Sequence, residues 1–305
     1  MNPVTALFPD LALIAIGQLL LRSLVRERGV WNGLEKLIYY VLFPALLFDT
    51  ILHMRLELST ALPAVVVALA AVGVGIGLGW LARPLLDPEP ARFAAGVQCA
   101  FRFNSYVMLA LSQRIGGDAG LSLAAILIGV SVSVVNFAAV IPLARHAQSR
   151  LGVELARNPL ILATLAGLVG HALGLRLPAP VEATLGRLGG ASIALGLLAV
   201  GAGLQLDALR GRWNESRSTL ALGGWITAVK MLAMPAAAFA LSSLLGLDAP
   251  SRTIVVLYAA MPTAPSAYIL AARMGGDASF TALLMTVSML IAAVTLPLWL
   301  AALVA

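Results

Sequence analysis

Charge is what this 305-residue chain has least of: Asp, Glu, Lys and Arg make up 11% of it, against about a quarter in an ordinary soluble domain. With 60% hydrophobic residues and a mean hydropathy of +0.95, it is expected in a membrane. Cysteine is nearly absent. Cys99 alone permits neither an intramolecular disulfide nor a cysteine metal cluster, and in an apolar run it reads as a small buried hydrophobe. The three histidines, His53, His146 and His171, fall in or near loops, and no two of them stand at a metal-ligand spacing. There is no Gly-x-Ser-x-Gly elbow, no His-Glu-x-x-His, no phosphate loop and no pair of mid-membrane aspartates, so catalysis is not expected. The start, MNPVTALFPD, lacks the basic n-region of a cleavable signal peptide, and the first apolar run is expected to stay as a span. A net charge of +6 could suit nucleic acid, but the charges sit in short loops between apolar runs and read as topology signals; no nucleic-acid partner is expected.

Long apolar runs are abundant. Ten of them reach the length needed to cross a bilayer as helices: residues 4–21, 34–52, 62–82, 93–111, 121–144, 159–175, 183–206, 220–247, 254–272 and 280–304. Loops after the odd-numbered runs, with their flanks, hold thirteen of the twenty Lys and Arg residues, the opposite side holds five, and Arg102 and Lys230 remain inside the runs. Basic loops face the cytoplasm, which places both termini outside a multi-pass inner-membrane protein. The Gly-rich GVGIGLG at 73–79 lies within an apolar run, where small residues serve close helix packing and not a dinucleotide.

An internal repeat organises the chain. RIGGDA at 114–119 and RMGGDA at 273–278 agree at five of six positions, 159 residues apart, each just after an interrupted run. Five spans per half is an odd number. The second half, 151–305, then enters the membrane upside down relative to the first, 1–150, giving an all-α membrane protein of ten helices in two inverted five-helix repeats. Run four is interrupted at Arg102-Phe103-Asn104-Ser105-Tyr106, and run nine at Pro262-Thr263-Ala264-Pro265-Ser266. Pro262 and Pro265 remove two backbone donors on adjacent turns and mark a helix break, whereas run four has no proline there and gives a weaker reason to break. Irregular backbone at membrane depth is tolerated only against protein or a water-filled cavity, and paired interruptions in two halves point to a secondary transporter's substrate site.

The polar residues near the interruptions have one sign. Arg102 and Lys230 are costly within a span, at about 2.5–3.5 kcal/mol each near mid-helix, and acids inside the runs are few and close to span edges. An excess of buried cation points to an anionic substrate. Asn104, Ser105, Tyr106, Thr263, Ser266 and Tyr268 stand at or beside the breaks, where half-helix N-termini offer N–H groups and a positive dipole to a carboxylate. The plainer alternatives are that Asn104 and Ser266 cap half-helices, that Arg102 snorkels or binds a backbone carbonyl, and that Lys230 pairs with Asp49 or a helix C-terminus.

YVLFPALLF at 40–48, FRFNSYVMLAL at 101–111, RNPLILATLAGL at 157–168 and MPTAPSAYILAARMGGD at 261–277 resemble the bacterial members of the auxin efflux carrier family. That resemblance runs over essentially the whole chain. It implies unwound helices 4 and 9 that cross, a scaffold and homodimer-forming domain of helices 1, 2, 6 and 7, and a transport domain of helices 3–5 and 8–10 that moves elevator-fashion. It also implies a small organic acid such as malonate or malate as substrate. The chain departs from the plant pattern in lacking a long central loop and a proline in the helix 4 break, so auxin itself and loop phosphorylation are not implied. No cofactor is expected beyond a coupling sodium ion or proton. Two other functions remain open at this point: a sodium-coupled carrier of larger amphipathic acids, and a membrane receptor that binds an organic acid without moving it.

Overall fold

Residues in hydrocarbon must satisfy their backbone groups within their own segment, and helix is the form the described residues take almost throughout. The computed structural model describes residues 3–53, 58–144, 159–204, 206, 216–264 and 266–304. Its helices are α1 (Pro3–Ser23), α2 (Arg28–Leu37), a π-helical turn (Ile38–Leu42), α3 (Phe43–Leu52), α4 (Leu58–Leu86) and α5 (Pro90–Gly96), which tightens into a 3-10 turn (Val97–Ala100). After these come α6 (Ser105–Ala144), α7 (Pro159–Ala172), α8 (Ala179–Gly203), α9 (Arg217–Ala228), a second π-helical turn (Val229–Ala233), α10 (Met234–Leu244), α11 (Ala249–Ala260), α12 (Ser266–Arg273) and α13 (Ala278–Val304).

Among the described residues each apolar run is helical outside the two interruptions and the last residues of runs six, seven and eight, but length divides them. Among the described residues five stretches are long and apolar enough to cross a membrane: Ala61–Leu86, Pro90–Leu143, Ala179–Gly203, Arg217–Leu244 and Ala278–Leu303. At 1.5 Å per residue the 14-residue α7 is only about 21 Å long, short of a typical ~30 Å hydrocarbon core. The loop expected between runs four and five, residues 112–120, is helical on both sides of Gly117. Gly117 makes the bend alone, at φ 56° and ψ −148°, a conformation open in practice only to glycine, so the helical hydrogen bonding resumes at once.

The two π-helical turns have one cause. Each is followed at its second residue by proline, Pro44 or Pro235, whose missing N–H and bulky ring disturb the ladder one turn back. The carbonyl that Pro235 cannot engage is that of Met231, and the Trp299 indole donates to it at 3.2 Å.

By its contacts the chain forms two interleaved units. The first comprises residues 1–62, 106–133 and 152–203. Within it α1 packs on α8, and α3 on both α7 and α8. A Cβ at Gly17 would overlap the Leu198 carbonyl and one at Gly201 the Ile14 carbonyl, so α1 and α8 approach to backbone contact. The second unit comprises residues 63–105, 134–151 and 204–305, and it contains both interruptions. Here α10 packs on α11, α12 and α11 on α13, and α13 on α5. In GVGIGLG, Gly75 faces the Met234 side chain and the Ala100 carbonyl, and Gly79 faces Ala100, whereas Gly73 and Gly77 face open space.

Candidate functional site

The first interruption starts with a tightening. After α5, the 3-10 turn brings the N–H groups of Phe101 and Arg102 onto the Gln98 carbonyl, at 3.3 and 2.9 Å, and the chain then leaves helical geometry until Ser105. No proline is involved. The second interruption follows α11, where Met261 turns extended, with its N–H 3.4 Å from the Tyr258 carbonyl, and helix resumes at Ser266. Pro265 lies outside the described residues.

Four hydrogen bonds join the two interruptions inside the second unit. The Asn104 N–H donates to the Pro262 carbonyl at 2.8 Å. The Thr263 hydroxyl donates to the Cys99 carbonyl at 3.0 Å, and Gln98 Nε2 to the Ala267 carbonyl at 3.2 Å. Arg102 Nη1 donates to Ser266 Oγ at 2.9 Å, while its Nη2 reaches Asn136 Oδ1 on α6 at 2.5 Å. Ser288 Oγ on α13 accepts the Thr263 N–H at 3.1 Å, and the Phe103 ring packs on Tyr258 with centroids 4.6 Å apart. Backbone groups of each break, the Asn104 and Thr263 N–H and the Cys99 and Pro262 carbonyls among them, are thus taken up by the other break or by its neighbours.

The expected site residues sort by place. Arg102, Asn104 and Thr263 are buried in this knot; Ser266 is exposed at the start of α12, with Tyr268 half-buried two residues on. Ser105 opens α6 and is half-buried. Tyr106 is described with the first unit, where its ring meets Phe43 edge-on at 5.1 Å and fills the space over Gly196. Lys230 is fully buried in the second π-helical turn; its ammonium donates to the Ala259 carbonyl at 3.2 Å and lies 3.7 Å from Met234 Sδ.

Electrostatically the interior is one-sided. Among the described residues Arg102 and Lys230 are the buried charged side chains, and no carboxylate is buried. The described acids of the second unit sit at or beside helix ends: Asp277 Oδ1 accepts the Phe280 N–H at 2.9 Å to cap α13, its Oδ2 lies 3.2 Å from Arg92 Nε, and Asp248 caps α11. Groups of three or more His, Cys, Asp or Glu able to hold a metal are absent among the described residues. Such an interior can hold an anion, through Arg102 and the hydroxyl and amide groups around it, and it offers little to a cation beyond carbonyl oxygens.

Sequence reasoning passed over three members of this cluster. Asn136 is a lone amide in the apolar SVVNFAAV, Ser288 a lone hydroxyl in TVSML, and Gln98 lies one turn before the break. A polar side chain in a span is itself the signal, because it is costly there without a partner.

Comparison with known proteins bears on the second half of the chain. Residues 142–300, just over half of the sequence, match the model of a family described as membrane transport protein. No curated protein matches the chain.

Proposed function

From the premise that this chain belongs to the membrane transport protein family and is a multi-pass membrane transporter, we propose that it carries a small organic anion, a carboxylate of the malonate or malate kind. The carrying observation is the charge pattern: two buried cations, no buried carboxylate among the described residues, and one of the cations, Arg102, inside the knot where both helices break. The anion would lie against Arg102, Asn104, Ser105, Thr263, Ser266 and Tyr268, with Lys230 adding positive charge from the second π-helical turn. A carboxylate takes two parallel donors from a guanidinium, and half-helix N–H groups complete its shell.

The sequence repeat supports ten spans in two inverted repeats with broken helices 4 and 9 crossing, and the basic-residue bias supports an inner-membrane orientation with both termini outside. Alternating access is of the elevator type. Both breaks belong to one contact unit, as a site carried on a single moving body requires. Helices α1, α2, α3, α7 and α8 form the scaffold through which two copies pair.

Thermal shift of the purified protein across mono- and dicarboxylates tests this directly. A ligand bound only by the native state adds about 2.7 kcal/mol of stability at a hundred times its Kd. A shift specific to small carboxylates is expected, followed by their uptake into proteoliposomes. Absence of any carboxylate shift removes the anion site, and binding without flux makes the protein a receptor.

A further inference from the structure

A buried lysine normally sits beside a carboxylate; Lys230 does not. Its ammonium is fully enclosed, and its polar neighbours are the Ala259 carbonyl and the Met234 sulfur. What it faces is a helix end. Ala259 is the penultimate residue of α11, and because the chain turns extended at Met261, the last carbonyls of that half-helix have no N–H following them in the helix. The π-helical turn that carries Lys230 also packs against the 3-10 turn Val97–Ala100, the C-terminal end of the other half-helix. On that turn Gln98 Oε1 is buried without a hydrogen-bond partner, a second acceptor left open in the same neighbourhood.

Two half-helix C-termini therefore converge on the segment holding one ammonium. Each carries roughly half a negative charge, about one in total, which a single positive charge balances. Unwound carbonyls and half-helix C-termini are also what secondary transporters use to hold a coupling sodium ion. The sequence arranges this through Pro235, which widens the helix at 229–233, and through Gly75, whose missing side chain leaves space for Met234 and the Ala100 carbonyl.

We propose that the Lys230 ammonium is a built-in cation standing where a coupling sodium ion would otherwise bind, so that the carrier works without sodium. The role in coupling rests on the transporter function proposed above; the cation site itself does not. Charge is supplied covalently and balances the helix ends, which leaves the Arg102 charge to meet the substrate anion without an imported ion.

The test uses the purified full-length protein, wild type and two variants, with its unfolding midpoint followed in NaCl, KCl, choline chloride and n-butylammonium chloride at constant ionic strength. Wild type is expected to respond alike to sodium, potassium and choline. Lys230→Ala, which leaves a space the size of the lost side chain, should unfold more than about 5 °C lower and recover at least half of that in n-butylammonium or sodium, but not in choline. Lys230→Met, which fills the space without charge, should be lowered and recover in none of them. A saturable, sodium-specific stabilisation of wild type overturns the proposal, as does a Lys230→Met protein as stable as wild type or a Lys230→Ala protein that no cation restores. If neither variant can be purified, the wild-type sodium titration decides. These readouts do not depend on substrate, so a failure to bind carboxylates would count against the transport function and leave the cation site standing.

Discussion

The two interruptions reach similar geometry by different chemistry. In the second, proline removes donors in advance: Pro262 has no N–H to satisfy, and the break is written into the local sequence. In the first, every residue from Phe101 to Asn104 keeps its N–H, and the donors must be placed; those of Phe101 and Arg102 go back to Gln98 and that of Asn104 goes across to Pro262. Offset by the 159 residues that separate the Arg114 and Arg273 motifs, Asn104 stands opposite Thr263, and these two residues supply two of the links to the backbone across the breaks, Asn104 to Pro262 and Thr263 to Cys99. A helix in an apolar environment breaks where its freed groups find partners, and proline is one way, not the only way, to reduce how many are needed. The first break accordingly depends on the second more than the second depends on the first.

The largest expected effect comes from the residue that ties both breaks through its side chain. Arg102→Ala removes the donors to Ser266 and Asn136 and halves the buried positive charge among the described residues. Carboxylate affinity should fall by about 2 kcal/mol or more, at least thirtyfold, as when one partner of a buried charged pair is truncated. Isothermal titration with the best ligand from the thermal-shift panel reads it. Arg102→Lys keeps the charge but loses the planar fork that serves two acceptors at once, and should fall between the two. Equal affinity in all three proteins would mean that Arg102 is a structural tie and not a ligand group.

Next in size is Thr263→Val, which keeps the shape and deletes the hydroxyl that donates to the Cys99 carbonyl. Leaving that buried carbonyl without this donor should cost about 1–3 kcal/mol of stability. The loss should appear first as faster hydrogen exchange at Phe101 to Asn104, since the first break leans on the second. Faster exchange confined to residues 261–264 would reverse that dependence.

Pro262→Ala should cost least of the three, about 1 kcal/mol or less, because the carbonyl that accepts from Asn104 is kept and the effect is mainly on the unfolded chain. A loss above 3 kcal/mol in chemical unfolding would show that proline, and not the cross-links, maintains the second break.

Much of this arrangement was legible. Apolar runs gave the helices, because length and hydropathy determine where a backbone must satisfy itself, and the paired interruptions gave the place of the knot. What was not legible is how the interruptions are held. Asn136, Ser288 and Gln98 act from other helices or an adjacent turn, and tertiary pairing of single polar residues leaves no periodic trace. The repeated six-residue motif also misled in detail. Its two copies bend at different letters, Gly117 with φ 56° being the second glycine of the first copy and Gly275 with φ 70° the first glycine of the second. In the second copy Asp277 caps the following helix through its side chain, whereas in the first the Asp118 carbonyl accepts from Ser122. Five shared letters carry the composition of a turn, but packing chooses which glycine takes the positive φ. Pro235 shows a middle case: the sequence marks a disturbance near Lys230, and only the structure shows that the Trp299 indole takes up the freed Met231 carbonyl.

The smallest effect supplies a control outside the knot. In the first unit His53 follows the last residue of α3, with Nδ1 3.0 Å from the Asp49 carbonyl and 3.2 Å from its carboxylate, and Nε2 3.4 Å from Glu182. Burial by itself would lower its pKa, but the hydrogen bonds to Asp49 and Glu182 and their negative charges outweigh that and raise it above the ordinary value. A raised folded-state pKa means that the imidazolium favours the native state. That stability is fully present below the unfolded pKa of about 6.5 and is lost as pH rises through the somewhat higher folded value. Because the side chain is 48% exposed, screening holds the contribution to roughly half a kcal/mol or less. Wild type should therefore unfold slightly later at pH 6 than at pH 8, and His53→Gln should abolish that difference. If the difference persists in His53→Gln, the titrating group lies elsewhere.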